Sequence, residues 1–183
     1  MILLLVVILG LVVAQMRGGL RLPHLGYEWV AWLGFLPQLV LFSPLGQSIP
    51  LAILAMTLVT SQLILLVFIW LNRNSLQLLI LGLGLLLNIA VIVANDGLMP
   101  ISPDMAKTLT GVEWMAGQRL GNSKDLVMLP GETRLWELSD RFLLALPGYY
   151  VAYSPGDILI ALGAFLLLSS QTERGTSWKL AKN

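Results

Sequence analysis

Five uncharged apolar stretches lie along the chain, at residues 1–16, 29–45, 50–71, 75–94 and 158–170, and they constrain the fold more than any motif does. A helix that crosses a bilayer needs about 20 apolar residues at about 1.5 Å of rise each. The third and fourth stretches meet that length outright. The others rely on flanking residues, tilt or bilayer thinning to span. The expectation is an all-α, polytopic membrane helical bundle of about five transmembrane helices, a single membrane domain over residues 1–183. A long outer loop at 95–156 and a cytoplasmic tail at 171–183 complete it. A soluble core would have to bury these runs with too little polar surface to clothe them. The chain is 57% hydrophobic and 11% charged, with a mean hydropathy of +0.82, where soluble domains carry about 25% charged residues.

Composition also removes whole classes of chemistry. Cysteine is absent, which excludes disulfides, iron–sulfur clusters, thiol nucleophiles and thiolate metal sites. His24 is the only histidine, so a paired-histidine haem cannot be built within one chain; in its short arginine-containing loop it reads as a solvated surface residue. No cofactor signature is present. The net charge of +1 is not that of a nucleic-acid binder, so the expected partners are membrane lipid and other membrane proteins, with no nucleic acid. The first stretch lacks a positive n-region, and Arg17 follows it instead of preceding it. It reads as a retained first helix and not as a secretory signal.

Charge placement sets an orientation. With five spans, the loop at 17–28, the turn at 72–74 and the C-terminal tail share one side, which holds Arg17, Arg21, Arg73, Arg174, Lys179 and Lys182 close to span ends. Short membrane-proximal loops rich in Lys and Arg face the cytoplasm. The N-terminus is then outside and the C-terminus cytoplasmic. Trp29, Trp32 and Trp70 on one side and Tyr149, Tyr150 and Tyr153 on the other suit the aromatic belts of the two interfaces. Within the spans, Pro37 should kink the second, and Gly82 and Gly84 in the fourth allow close approach of a neighbouring helix.

A loop as long as 95–156 should contain elements of its own. Ser102-Pro103-Asp104 is a helix start, with an N-cap hydroxyl, proline at the first helical position and an acid in the first turn. Met105, Leu109, Val112 and Met115 then recur at helical spacing up to Gly117. Leu135, Leu138, Phe142 and Leu146 make a second apolar stripe. One or two interfacial helices are therefore expected, with a turn at 121–131 between the two stripes.

Polar groups at membrane depth need an explanation. Asn88 shares one face of the fourth helix with Ile92 and Asn95. Its plainest role is an interhelical hydrogen bond to Gln38, Thr60, Ser61 or Gln62; its alternative is to contact a ligand, with Asn95 and Asp157 as companions. Asp157 follows Ser154-Pro155-Gly156 as an acid at a helix start, where it complements the N-terminal dipole. Carboxylates meeting near a low-dielectric boundary can also share a proton, which makes Asp96, Asp140 and Asp157 candidates for acid–base work.

The stretch Asn95-Asp96-Gly97-Leu98-Met99-Pro100-Ile101-Ser102-Pro103, together with Asn88, Thr133-Arg134-Leu135, Asp140, Ser154-Pro155-Gly156-Asp157 and Arg17-Gly18-Gly19, resembles a bacterial multi-pass membrane-protein family known only as a domain of unknown function. The resemblance runs over nearly the whole chain. It implies a fold and a place in the bacterial cytoplasmic membrane, with no activity attached. Asp96 stands where that family's pattern has a small residue, commonly glycine, so Asn95, Asp140 and Asp157 are the positions the resemblance favours.

The last span is also similar, locally, to lipoprotein signal peptidases, whose catalytic aspartate lies in an Asn-x-Ala-Asp-x-x-Ile-x-x-Gly pattern. Ser154, Gly156, Asp157, Ile160 and Gly163 fall at the same spacing, with serine and glycine replacing asparagine and alanine. That likeness implies Asp140 and Asp157 as a catalytic pair activating water between two carboxyls. The peptidase's other motifs are not recognisable here. Three readings follow. The first is a non-catalytic accessory or assembly subunit of a larger membrane complex. The others are a lipid-binding or small-solute transport component, resting on Asn88 and Gln38, and an aspartate-dyad membrane hydrolase.

Overall fold

The computed structural model describes residues 2–16 and 25–169. Among the described residues there are six α-helices and two small sheets: α1 (Ile2–Met16), α2 (Glu28–Leu41), α3 (Leu51–Leu71), α4 (Leu76–Ala94), β1 (Met99–Ile101), α5 (Pro103–Thr110), β2 (Asp125–Val127), β3 (Phe142–Leu146), β4 (Tyr149–Tyr153) and α6 (Pro155–Ser169). The N-terminal residue, the arginine loop with His24 and the charged tail from residue 170 onward lie outside the described residues.

The five-span, all-α expectation is overturned. Among the described residues, only α3 and α4, of 21 and 19 residues, are long and apolar enough to cross a membrane. The second apolar stretch gives a 14-residue helix that ends at Leu41. Ser43-Pro44 follows, and the residue before a proline is pushed out of the α region. The chain turns instead through a 3₁₀ segment, Pro44–Ser48, capped by the Ser43 hydroxyl. The last stretch gives a 15-residue helix, α6.

The long loop is an insert of mixed structure. Its first helix starts as expected, with Ser102 accepting from the Met105 amide at 3.2 Å. It stops at Thr110, earlier than Gly117, because Gly111 takes the left-handed conformation (φ 74°). The second expected helix, 135–146, does not form. A 3₁₀ turn at Trp136–Leu138 precedes strand β3, which pairs antiparallel with β4 from Phe142↔Tyr153 to Leu146↔Tyr149. Pro147-Gly148 decides the outcome. Proline blocks helix continuation, and Gly148 at φ 86° completes a two-residue turn. The second sheet pairs β1 and β2 in parallel, Met99↔Asp125 to Ile101↔Val127.

Each helix boundary that matters to the site has a local cause. Ser75 starts α4 by accepting from the Leu78 amide. Asp96 and Gly97, at φ 55° and 81°, turn the chain out of it. Gly97 then packs against Ala55 of α3. Helix α2 runs antiparallel along α3, with Gly34 against Leu65 and Gln38 donating to the Ser61 hydroxyl at 3.0 Å. Helix α6 lies between α1 and α4. Its Gly156 meets Gly84 and Asn88, and its Gly163 meets Leu81 and Gln77, so α6 runs antiparallel to α4. A Cβ at Gly84 would stand 2.5 Å from the Gly156 carbonyl, and one at Gly163 2.6 Å from the Leu81 nitrogen. Glycine is required on both sides of this seam, as the sequence suggested for Gly84; Gly82 serves α3 through Ile69.

Three apolar clusters form the core. One, with Leu58, Ile92, Leu98, Met99 and Leu126, joins α2, α3 and α4 to the insert. A second, with Val30, Leu65, Phe68 and Leu85, lies toward the 72–75 turn. A third, with Ile101, Ala106, Leu120 and Val127, belongs to the insert. Less than half of α3 and α4 is buried, and Met56, Leu83 and Val93 stand in the open.

Candidate functional site

The polar residues singled out from the sequence gather where the insert meets α4 and α6. Ser154 and Asp157 form a reciprocal helix cap. The Ser154 hydroxyl accepts from the Asp157 amide at 3.0 Å, and Asp157 Oδ2 accepts from the Ser154 amide at 3.1 Å. Serine at the N-cap, proline next and an acid at the third helical position is the arrangement that satisfies two orphan amides at once. Asn88 then ties this cap to α4. Its Nδ2 donates to Asp157 Oδ1 at 2.8 Å and its Oδ1 accepts from the Ser154 hydroxyl at 2.9 Å. Asn88 does form an interhelical bond, but across to α6 and not to Gln38, Thr60, Ser61 or Gln62. A side chain at Gly156 would run into the Asn88 amide, so glycine is required at this position.

Asp140 sits beside this cap in a buried ion pair. Its Oδ2 is 2.6 Å from Lys124 Nζ, and the residue is 3% exposed. Lys124 also lies 3.5 Å from Asp125 Oδ1, and Asp157 is close enough to act on both Lys124 and Asp140 electrostatically. Two carboxylates thus contact one ammonium, and a third acts on it through space. Burial works against the charged form of Lys124, yet Asp140, Asp125 and Asp157 outweigh it and raise its pKa above the ordinary value. Burial also raises Asp140 well above the carboxylate range; Lys124 opposes this, while Asp125 and Asp157 add to it. Asp140 Oδ1 is buried without a hydrogen-bond partner among the described residues.

Asn95 does something different. At the C-cap of α4 it donates to the Val91 carbonyl and the Arg134 carbonyl, both at 2.8 Å, and accepts from the Arg134 amide at 2.8 Å. All of its amide is spent on holding the insert to the helix end. Asn72 repeats the device at the C-cap of α3, exchanging two bonds with Gly26 and donating to the Phe68 carbonyl. Asp96 is exposed in its left-handed turn. The structure therefore brings Asn88, Asp140 and Asp157 into one neighbourhood, leaves Asn95 at a separate clamp and leaves Asp96 outside. No hydrogen bond joins Asp140 to Asp157 among the described residues, and among those residues no group of three or more His, Asp or Glu has the spacing to hold a metal ion.

Several participants were not legible in advance. Lys124 and Asp125 carry no motif, and their partners lie in other segments. Ser154 was visible as part of a helix start, without its link to Asn88. Arg119 had no signal at all: its guanidinium donates to the carbonyls of Leu41, Gly46 and Ser123, pinning the insert to the α2–α3 connection.

Two long apolar helices, a mixed α/β insert and a polar cap stapled between them define a helical protein with a small ordered extra-helical insert. The chain belongs to the family of unknown function DUF5317, whose model covers residues 23–169. This bears out the resemblance to a family known only as a domain of unknown function. No curated protein and no solved structure matches it.

Proposed function

We propose that the chain is a non-catalytic integral membrane protein of the bacterial cytoplasmic membrane, acting as an accessory or assembly subunit of a larger membrane complex. Helices α3 and α4 cross the bilayer more than once as a pair, with the Arg73 turn in the cytoplasm and the insert outside. Helix α6 runs back along α4 toward the Arg73 turn. The observation that carries the subunit reading is the way the candidate catalytic carboxylates are used. Both oxygens of Asp157 are held by Asn88 and the Ser154 amide, and Asp140 is buried against Lys124. Activating a water between two carboxyls needs lone pairs free to receive its proton, and here each Asp157 oxygen and Asp140 Oδ2 already accepts a bond that ties the insert and helices together. Asn88 and Gln38, on which transport would depend, are likewise paired to protein groups.

A hydrolytic alternative keeps one foothold, the unpartnered Asp140 Oδ1 with its raised pKa. Isolation at native expression level in a mild detergent, followed by intact-complex mass spectrometry, separates the readings. Stoichiometric protein partners that persist with Asp140→Asn support the subunit. A lone chain carrying lipid or peptide, released by Asp140→Asn, overturns it in favour of a binding or hydrolytic site.

A further inference from the structure

From Phe142 to Gly156 the chain carries no charge, and it folds as the β3–β4 hairpin leading into α6. Cross-strand partners of an antiparallel pair share a face. Phe142, Leu144 and Tyr149 therefore lie on one face, and Leu143 and Tyr150 on the other. Their exposures are 40, 36, 42, 37 and 48% respectively. An antiparallel hairpin in water keeps a polar face toward solvent; this one has apolar groups open on both.

Its depth follows from the polar cap. Strand β4 ends at Tyr153, and the next residue, Ser154, is bonded to Asn88. Asn88 precedes the end of α4 at Ala94 by six residues, about 9 Å of helix. Where α4 crosses a bilayer, the base of the hairpin is held about 9 Å inside that helix's outer end, within the outer leaflet. The exposed Ile158 and Leu162 of α6 continue the same apolar surface.

We propose that the β3–β4 hairpin is embedded in the outer lipid interface, its occupant being lipid and not a partner protein. The proposal rests on the reading of α3 and α4 as spanning helices. Two features set how far it enters. The outer edges of a two-stranded sheet carry unpaired amides and carbonyls that need water, so the hairpin stays out of the hydrocarbon centre. Arg141, stacked over the rings of Trp136 and Phe142 at 5.2 and 5.6 Å, brings a cation to the hairpin's base. From there its long stem reaches lipid phosphates while its apolar part stays with the rings.

The absence of cysteine makes the test direct. The full chain with Leu144→Cys or Tyr150→Cys, one on each face, is labelled with a nitroxide and reconstituted into phosphatidylcholine–phosphatidylglycerol vesicles. Leu83→Cys on α4 is the lipid reference and Val112→Cys after α5 the aqueous one; Leu143→Cys replaces either hairpin variant that fails to fold. The hairpin labels are expected to collide with oxygen several-fold more than with a water-soluble nickel chelate, as at Leu83. Hairpin labels that behave like Val112 while Leu83 reports lipid overturn the embedding and leave the spanning helices standing. An aqueous signal at Leu83 overturns both. Low collision with either reagent at the hairpin marks a protein cover and overturns the lipid assignment.

Discussion

At the scale of single residues, the insert is held by side chains that each complete more than one task. Lys124 is the clearest. It pairs with Asp140 at 2.6 Å and also faces Asp125, so Lys124→Met should destabilise the protein by up to about 3–5 kcal/mol by leaving the buried acids without their cation. Lys124→Met with Asp140→Leu removes both charges and should recover most of that loss; thermal unfolding in detergent measures each. The same lysine sets a pH dependence. Its pKa is raised by the surrounding carboxylates against the opposing effect of burial, so the folded chain keeps this proton to higher pH than the unfolded chain. The stability it contributes is complete below its ordinary value of 10.5 and is lost as pH rises through the folded value. A decline in stability above pH 10.5 that Lys124→Met abolishes is the expected result; an unchanged slope in the variant would assign it elsewhere. Asn88, Asp140 and Asp157 were readable as residues needing partners because polar groups are costly beside apolar helices. Their partners were not, since they lie 69, 16 and 66 positions apart in the bonds Asn88–Asp157, Lys124–Asp140 and Asn88–Ser154.

At the scale of elements, length and cap chemistry were legible and pairing was not. Helices α3 and α4 could be read directly because an apolar run of about 20 residues has few alternatives. The starts of α5 and α6 followed from Ser-Pro-x-x sequences that satisfy the first amides. The hairpin was hidden for a physical reason. A strand buried on one face alternates apolar and polar residues, whereas Phe142–Leu146 and Tyr149–Tyr153 are apolar throughout, so helical spacing from Leu135 to Leu146 matched by coincidence. Pro147-Gly148 between two apolar runs was the signal available. The α4–α6 seam gives a test at this scale. Gly163→Ala places a methyl against the Leu81 backbone and should cost about 1–3 kcal/mol as the helices part. Gly131→Ala meets nothing within 4 Å and should stay within about 0.5 kcal/mol of the parent. Equal melting temperatures for the two would deny that the seam is close-packed.

At the scale of the whole molecule, α3, α4 and the turn between them decide where everything else lies. A maleimide that cannot cross membranes should label Val112→Cys on intact cells and Asn74→Cys only after permeabilisation; the reverse pattern would invert the proposed orientation. The polar cap linking α4 to α6 also imposes an order on biogenesis. Asn88 cannot meet its partner until Asp157, 69 residues later, has been synthesised. At about 5–20 residues per second that leaves roughly 3–14 s in which a nascent α4 holds an unsatisfied amide and an uncovered glycine face. On the proposed membrane reading, that face is covered by lipid or by the nascent chain's own insert until α6 arrives.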